Sequence, residues 1–239
     1  MMLSNMIGGI DLSIIANANT VAIFTAYVLN GTWAFGTQGP ARIVLALLVA
    51  LCTSLVFGIL NGLIVAKTSA PSLVATLGTM TLIQGIGMAI TGGASIGDID
   101  PAFSGFGKAV FLGLPVIFWL FLVVALVLGL VLSLTEFGRK LYLYGGNPVA
   151  ARFSAFHNEK MSMILFMLTG VLAGVAGLFF LSRVNSAKEG YGDSYLLQTM
   201  IVCVIGGNYP KGGKGKKTGG VHSNIFVQGI FTCISILSH

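Results

Sequence analysis

Few residues in this 239-residue chain are of a type and spacing that could do chemistry. His157, His222 and His239 stand alone. The His-Glu-x-x-His spacing that puts two imidazoles on one helix face for zinc does not occur, so an intramembrane metalloprotease is unsupported and no metal site is assigned. No Gly-x-Ser-x-Gly elbow exists to expose a nucleophilic serine. The stretch GGNYPKGGKGKKTGG at 206–220 has the glycines and lysines of a phosphate loop. A Walker A loop, however, needs Gly-Lys-Ser/Thr after four spacers, whereas here Thr218 follows Lys216-Lys217 and no apolar strand leads into a helix. It reads as a solvated basic loop. No catalytic residue is assigned.

What remains is a set of neutral hydrogen-bonding side chains set among apolar residues: Thr53, Ser54, Asn61, Thr76, Thr79, Thr81, Gln84 and Thr169. Such groups can line a path for a polyhydroxylated or otherwise neutral solute, and they can equally tie one helix to another. The two readings stand level for Asn61 and Gln84, and helix tying leads for the rest. Asn61, Thr76, Thr79 and Gln84 are retained as the candidate translocation path.

The elements that carry these groups are membrane spans. Hydrophobic residues make up 55% of the chain and charged ones 8%, against roughly 25% charged in soluble domains. Windows of about 20 apolar residues, enough to cross ~30 Å of hydrocarbon, run over Ile43–Val65, Ser72–Ile90, Val110–Leu134 and Met161–Leu181. Ile14–Leu29 is weaker because Asn17, Asn19 and Thr20 interrupt it. Tyr195–Ile205 is short and Asn224–Leu237 marginal, so re-entrant or discontinuous elements are expected there. The fold expected is an all-α polytopic membrane protein, a bundle of about six to seven transmembrane or partly re-entrant helices forming one domain over 1–239. Gly58-x-x-x-Gly62 and Gly170-x-x-x-Gly174 would let neighbouring backbones approach closely. Cys52, Cys203 and Cys233 read as buried free thiols packing as small hydrophobes.

Charge sets the orientation. The polar loop 135–160 carries Arg139, Lys140, Arg152 and Lys160 against Glu136 and Glu159, which marks it as cytoplasmic. Alternation then places Lys67 and the lysines at 211, 214, 216 and 217 inside, leaving Arg42, Lys108, Arg183 and Lys188 outside. The net charge of +6 is thereby a matter of topology, and no nucleic-acid partner is implied. No basic region precedes the first apolar stretch, so no cleavable signal peptide is expected. Ion-coupled carriers usually hold carboxylates, Lys or His within their spans. Their near absence here makes an ion-coupled carrier the weaker alternative and suggests energy supplied from a separate cytoplasmic subunit.

Five ordered segments carry a family resemblance: GGIDLS at 8–13, GILNGLIVAK at 58–67, LVATLGTMTLIQGIGMAITGG at 73–93, FGRKLYLYGGNPVAARFS at 137–154 and LTGVLAGVAGLFFLSRVNSAKEGYGDSYLLQTMIVCVIGG at 168–207. Together they resemble the membrane permease subunits of ribose-type ABC importers, which serve monosaccharides, nucleosides, autoinducer-2 and, more distantly, branched-chain amino acids. The resemblance implies a non-enzymatic transport subunit in the inner (plasma) membrane, working by alternating access. It implies as partners an ABC ATPase subunit, which would bind ATP and Mg, a second permease subunit, homo- or heterodimeric, and an extracytoplasmic solute-binding protein. This chain itself would bind no cofactor. The loop matching positions Gly138, Arg139, Gly145, Gly146, Asn147, Ala150, Ala151 and Arg152 would couple to the ATPase. Pro148 favours a turn and then a helix start there. Three departures are visible. The chain opens almost on GGIDLS, as though lacking the family's N-terminal span or spans; its tail is lysine-rich; and Gln84 stands where the family often has Arg. They leave a truncated, non-transporting paralogue or scaffold as the alternative.

Overall fold

The computed structural model describes residues 1–205 except 8, 35, 69–70 and 147–157. Its helices are α1 (Met2–Met6), α2 (Ile14–Leu29), α3 (Pro40–Lys67), α4 (Ser72–Thr91), α5 (Pro101–Lys108), α6 (Val116–Leu134), α7 (Glu136–Gly146), α8 (Asn158–Val184) and α9 (Asp193–Ile205). Among the described residues, α3, α4, α6 and α8 are long and apolar enough to cross a membrane. The chain is thus an all-α polytopic membrane protein, as its hydropathy indicates.

Local sequence explains most boundaries. Gly39 takes a positive φ and Pro40 then occupies the first turn of α3, where a missing N–H costs nothing. Gly92 closes α4 in the left-handed conformation. Asp100 caps α5 by accepting a 2.9 Å hydrogen bond from the Ala102 N–H, with Pro101 next in line.

One expected span is corrected. Val110–Pro115 does not begin a helix. Val110–Phe111 (β1) and Leu114–Pro115 (β2) pair antiparallel around Leu112 and Gly113, both at positive φ. Such a two-residue turn matches the twist of a hairpin, and Pro115 then delays the span until Val116. A second correction concerns Cys52, which lies exposed on α3, whereas Cys203 is buried; Cys233 falls outside the described residues. The short segment at 195–205 lies within α9, which has 13 residues over Asp193–Ile205 and is about 20 Å long.

The interrupted segment Ile14–Leu29 turns out to be the most enclosed. Packed against α3, α4 and α8, it buries Asn17, Asn19, Thr20 and Thr25 together with Val21, Ile23, Ala26 and Leu29. A helix shielded from lipid by its neighbours can carry amides that a lipid-facing one cannot. At the other extreme, α6 is apolar on every side and buries only Leu132.

Close backbone contact joins α3 to α8. A Cβ added at Gly58 would lie 3.0 Å from the Met167 Cα, and one at Gly170 would lie 2.8 Å from the Gly58 Cα and the Ser54 carbonyl. The two small-residue motifs read from the sequence therefore face each other.

Contacts also separate two ends. At one, Ile96 and Ala187 form an antiparallel bridge, the Tyr27 hydroxyl donates to the Ile90 carbonyl at 3.1 Å, and Gly107 packs on the Ser182 backbone. At the other, Leu3, Met6, Leu132, Leu141 and Leu165 form one apolar cluster linking α1, α6, α7 and α8. Arg42, Lys108, Arg183 and Lys188 belong to the first end; Lys67, Arg139, Lys140 and Lys160 belong to the second. Among the described residues this is the partition that the charge pattern requires; Arg152 and the lysines at 211, 214, 216 and 217 lie outside them.

Replacing Gly170 with Leu should lower the stability of the detergent-solubilised chain by roughly 1–3 kcal/mol through overpacking, read as a drop in Tm. Gly78→Leu, where nothing lies within 4 Å, should leave Tm nearly unchanged. Equal effects at the two sites would remove the α3–α8 contact from its central place.

Candidate functional site

Between α1 and α2 the chain runs without helix through Gly9, Ile10, Asp11, Leu12 and Ser13, inside a bundle where every backbone polar group needs an internal partner. Thr76 supplies two of those partners, and side chains from two further helices hold the segment's own polar side chains. Thr76 on α4 donates its hydroxyl to the Ile10 carbonyl at 3.0 Å and accepts from the Leu12 N–H at 3.2 Å. It thereby substitutes for a neighbouring backbone. The Asp11 carboxylate accepts from the Ser13 hydroxyl at 2.6 Å and the Ser13 N–H at 3.0 Å. Its second oxygen accepts from Thr169 on α8 at 3.4 Å.

Asn61 on α3 donates its amide to the Ser13 hydroxyl at 2.6 Å, and Asn17 donates to the Gly170 carbonyl at 3.4 Å. The amide oxygens of both Asn61 and Asn17 remain buried without a partner. The result is a connected polar network around Asp11, with two idle acceptors pointing nowhere in the described residues. It has hydrogen-bonding capacity but holds no nucleophile–base pair and, among the described residues, no group of His, Cys, Asp and Glu able to hold a metal ion.

Of the four residues retained as a candidate path, the structure brings Asn61 and Thr76 to this same segment. Thr79, buried, bonds the Thr76 carbonyl of its own helix at 3.1 Å. Gln84 lies nearer the opposite end of α4, where its amide donates to the Asp193 carboxylate at 3.3 Å. Thr53, Ser54 and Thr81 bond carbonyls of their own helices. Sequence reasoning missed Asp11 and Ser13 as members of a site. The signal was present in GGIDLS, whose polar residues sit just before an apolar run.

On the charged loop, α7 is an amphipathic helix. Leu141 and Gly138 are buried, Gly138 so close to the Leu132 backbone that no side chain fits. Gly145 is also buried, whereas Arg139 and Gly146 are exposed, and Lys140 pairs with Glu136 at 3.2 Å. Asn147, Ala150, Ala151 and Arg152 lie outside the described residues.

Comparison with known proteins supplies the context. A family described as the permease component of branched-chain amino acid transport systems matches residues 1–235. The ribose import permease protein of Haemophilus influenzae is 33% identical over 236 residues, covering 97% of this chain and 71% of that protein. The L-arabinose transport system permease protein of Escherichia coli is 35% identical over 156 residues, 65% of this chain and 48% of its own length. The autoinducer 2 import system permease protein of Salmonella paratyphi B is 32% identical over 228 residues, 95% of this chain and 64% of its own. Two of these relatives are thus spanned over less than two thirds of their length. No solved structure matches.

The Thr76→Val substitution, nearly isosteric, should cost about 1–3 kcal/mol by stranding the Ile10 carbonyl and the Leu12 N–H. Thr79→Val, which loses only a bond to its own helix, should cost much less. Thermal unfolding followed by circular dichroism compares the two, and the network has no structural role if they behave alike.

Proposed function

The chain belongs to the family of permease components of branched-chain amino acid transport systems, and from that premise we propose that it is the permease subunit of an ABC importer for a monosaccharide or a similar small neutral polar solute. The observation that carries this reading is the family match over residues 1–235, joined by relatives named for ribose, L-arabinose and autoinducer 2. Neutrality of the solute is supported by the polar groups inside the bundle, which are mostly amides and hydroxyls.

Transport proceeds by alternating access. ATP and Mg are bound by a separate ATPase, a second permease completes the membrane unit, and an extracytoplasmic protein delivers the solute. The ATPase docks on the loop that begins with α7 and runs through Asn147, Ala150, Ala151 and Arg152. Small residues let it seat in a groove, and the exposed Arg139 together with Arg152 meets acidic groups there. The broken segment at Gly9–Ser13 suits this work, because a discontinuous element can be re-partnered as helices shift.

Co-expression with the cognate ATPase tests the docking. Arg152→Glu should lower the ATPase recovered with the chain by roughly tenfold, the effect of reversing a charge at an interface, while membrane insertion stays normal. Undiminished recovery would remove Arg152 from the contact. Uptake of radiolabelled D-ribose or L-arabinose, in cells lacking their other permeases, tests the transport reading itself.

A further inference from the structure

The loop between α8 and α9 places a carboxylate where few membrane proteins tolerate one. Glu189 is only 7% exposed, and neither of its carboxylate oxygens makes a hydrogen bond within the described residues. Its head rests against Gly87 on α4, whose missing side chain makes room for it. The Thr20 hydroxyl, fully buried, lies 3.4 Å from where a Gly87 Cβ would stand and is likewise unpartnered. Asn19, 6% exposed, reaches the same place beside Gly192, and its amide nitrogen also has no partner. Asp193, exposed and held by Gln84, borders the cluster on its open side.

Four elements so converge on one spot and leave both donors and acceptors idle. Buried polar groups without partners are few in folded proteins, and each calls for a cause. A metal cation would be met by oxygens alone, whereas here an amide N–H and a hydroxyl stand beside the carboxylate. A sugar hydroxyl, which donates and accepts at once, satisfies such a mixed set. We propose that Glu189, Asn19 and Thr20, bordered by Asp193 and Gln84, form a binding station for vicinal hydroxyls of the transported solute, on the end of the bundle that carries the α8–α9 loop. This assignment rests on the transport reading above and names the residues that would recognise the solute.

The electrostatics agree. Burial, and then the negative charge of Asp193, push the Glu189 carboxyl up to about 7, with the Gly190 N–H and the Asn19 amide, both close to the carboxylate though short of good hydrogen-bond geometry, pulling the other way. The elements packed on Glu189 present only neutral groups from α2 and α4, and Asp193 from α9. Among the described residues no Lys or Arg forms an ion pair with either carboxylate. Glu189 therefore keeps its proton into the neutral range and can donate to a hydroxyl as well as accept from one. A carboxyl raised in this way is protonated below about pH 7 and ionised above it.

Carbodiimide modifies buried protonated carboxyls, which gives a direct readout on the full chain in lipid nanodiscs by mass spectrometry. Labelling of Glu189 is expected at about pH 6 and to fall at least several-fold by about pH 8.5. D-ribose or L-arabinose, at about ten times its dissociation constant, should suppress labelling at the lower pH by roughly tenfold, since about one site in ten then stays empty, and ethanolamine should not. Asn19→Ala and the near-isosteric Thr20→Val should keep the label but lose the protection. Absence of protection by either sugar overturns the assignment, as does stronger protection by ethanolamine, which would make the site an amine receptor. Uptake of the same sugars by cells carrying the wild-type importer separates the two levels. Uptake without protection sinks only this station, and no uptake of either sugar sinks the transport reading and the station with it.

Discussion

Backbone laid directly on backbone, where α3 crosses α8, is the contact on which the rest of the bundle depends. Without side chains at Gly58 and Gly170 the two helices approach closely, in a setting where packing must replace the hydrophobic drive that lipid removes. That crossing fixes the height of α8. It thereby sets Thr169 beside Asp11 and turns the Gly170 carbonyl toward Asn17. A shift of one turn, ~5.4 Å, would separate both pairs and leave Thr76 and Asn61 alone to hold the Gly9–Ser13 segment. Apolar packing and polar satisfaction are therefore the same constraint seen from two sides.

The unhelical segment illustrates why membrane interiors are not uniformly greasy. It is tolerated at depth because Thr76 bonds its Ile10 carbonyl and Leu12 N–H, while Asn61 and Thr169, from two other helices, bond the Ser13 hydroxyl and the Asp11 carboxylate. Each of these residues looks modest alone, and together they hold a segment that has no ladder of its own. The enclosed α2, rich in asparagine and threonine, continues the same logic. Its polar residues face protein, so their cost falls on packing partners and not on hydrocarbon.

Much of this was legible in the residues themselves. Length and hydropathy locate α3, α4 and α8, because a bilayer leaves little freedom in how twenty apolar residues can be used. The glycine motifs foretell the α3–α8 crossing, since only small residues allow it. Among the described residues, the basic ones sort between the two ends as the charge pattern requires. Other features were hidden for physical reasons. The hairpin at Val110–Pro115 uses apolar residues that continue seamlessly into α6, and hydropathy alone cannot see a turn between Leu112 and Gly113. Cys52 looks like a core thiol only if apolar residues are assumed to face inward, which fails where lipid is the solvent. Burial of Glu189 arises from contact with Thr20 and Gly87, far away in sequence. A linear reading therefore sees only a polar loop.

A different consequence follows from the near-naked α6. Its middle touches little of the bundle, while its ends are held. At one, the Trp119 indole donates to the Phe111 carbonyl at 3.0 Å and the Val116 N–H to the Ala109 carbonyl at 2.9 Å. At the other, Gly138 of α7 is pressed onto Leu132. Through those two ties α6, about 28 Å long, connects α7 at one surface to the hairpin at the opposite surface.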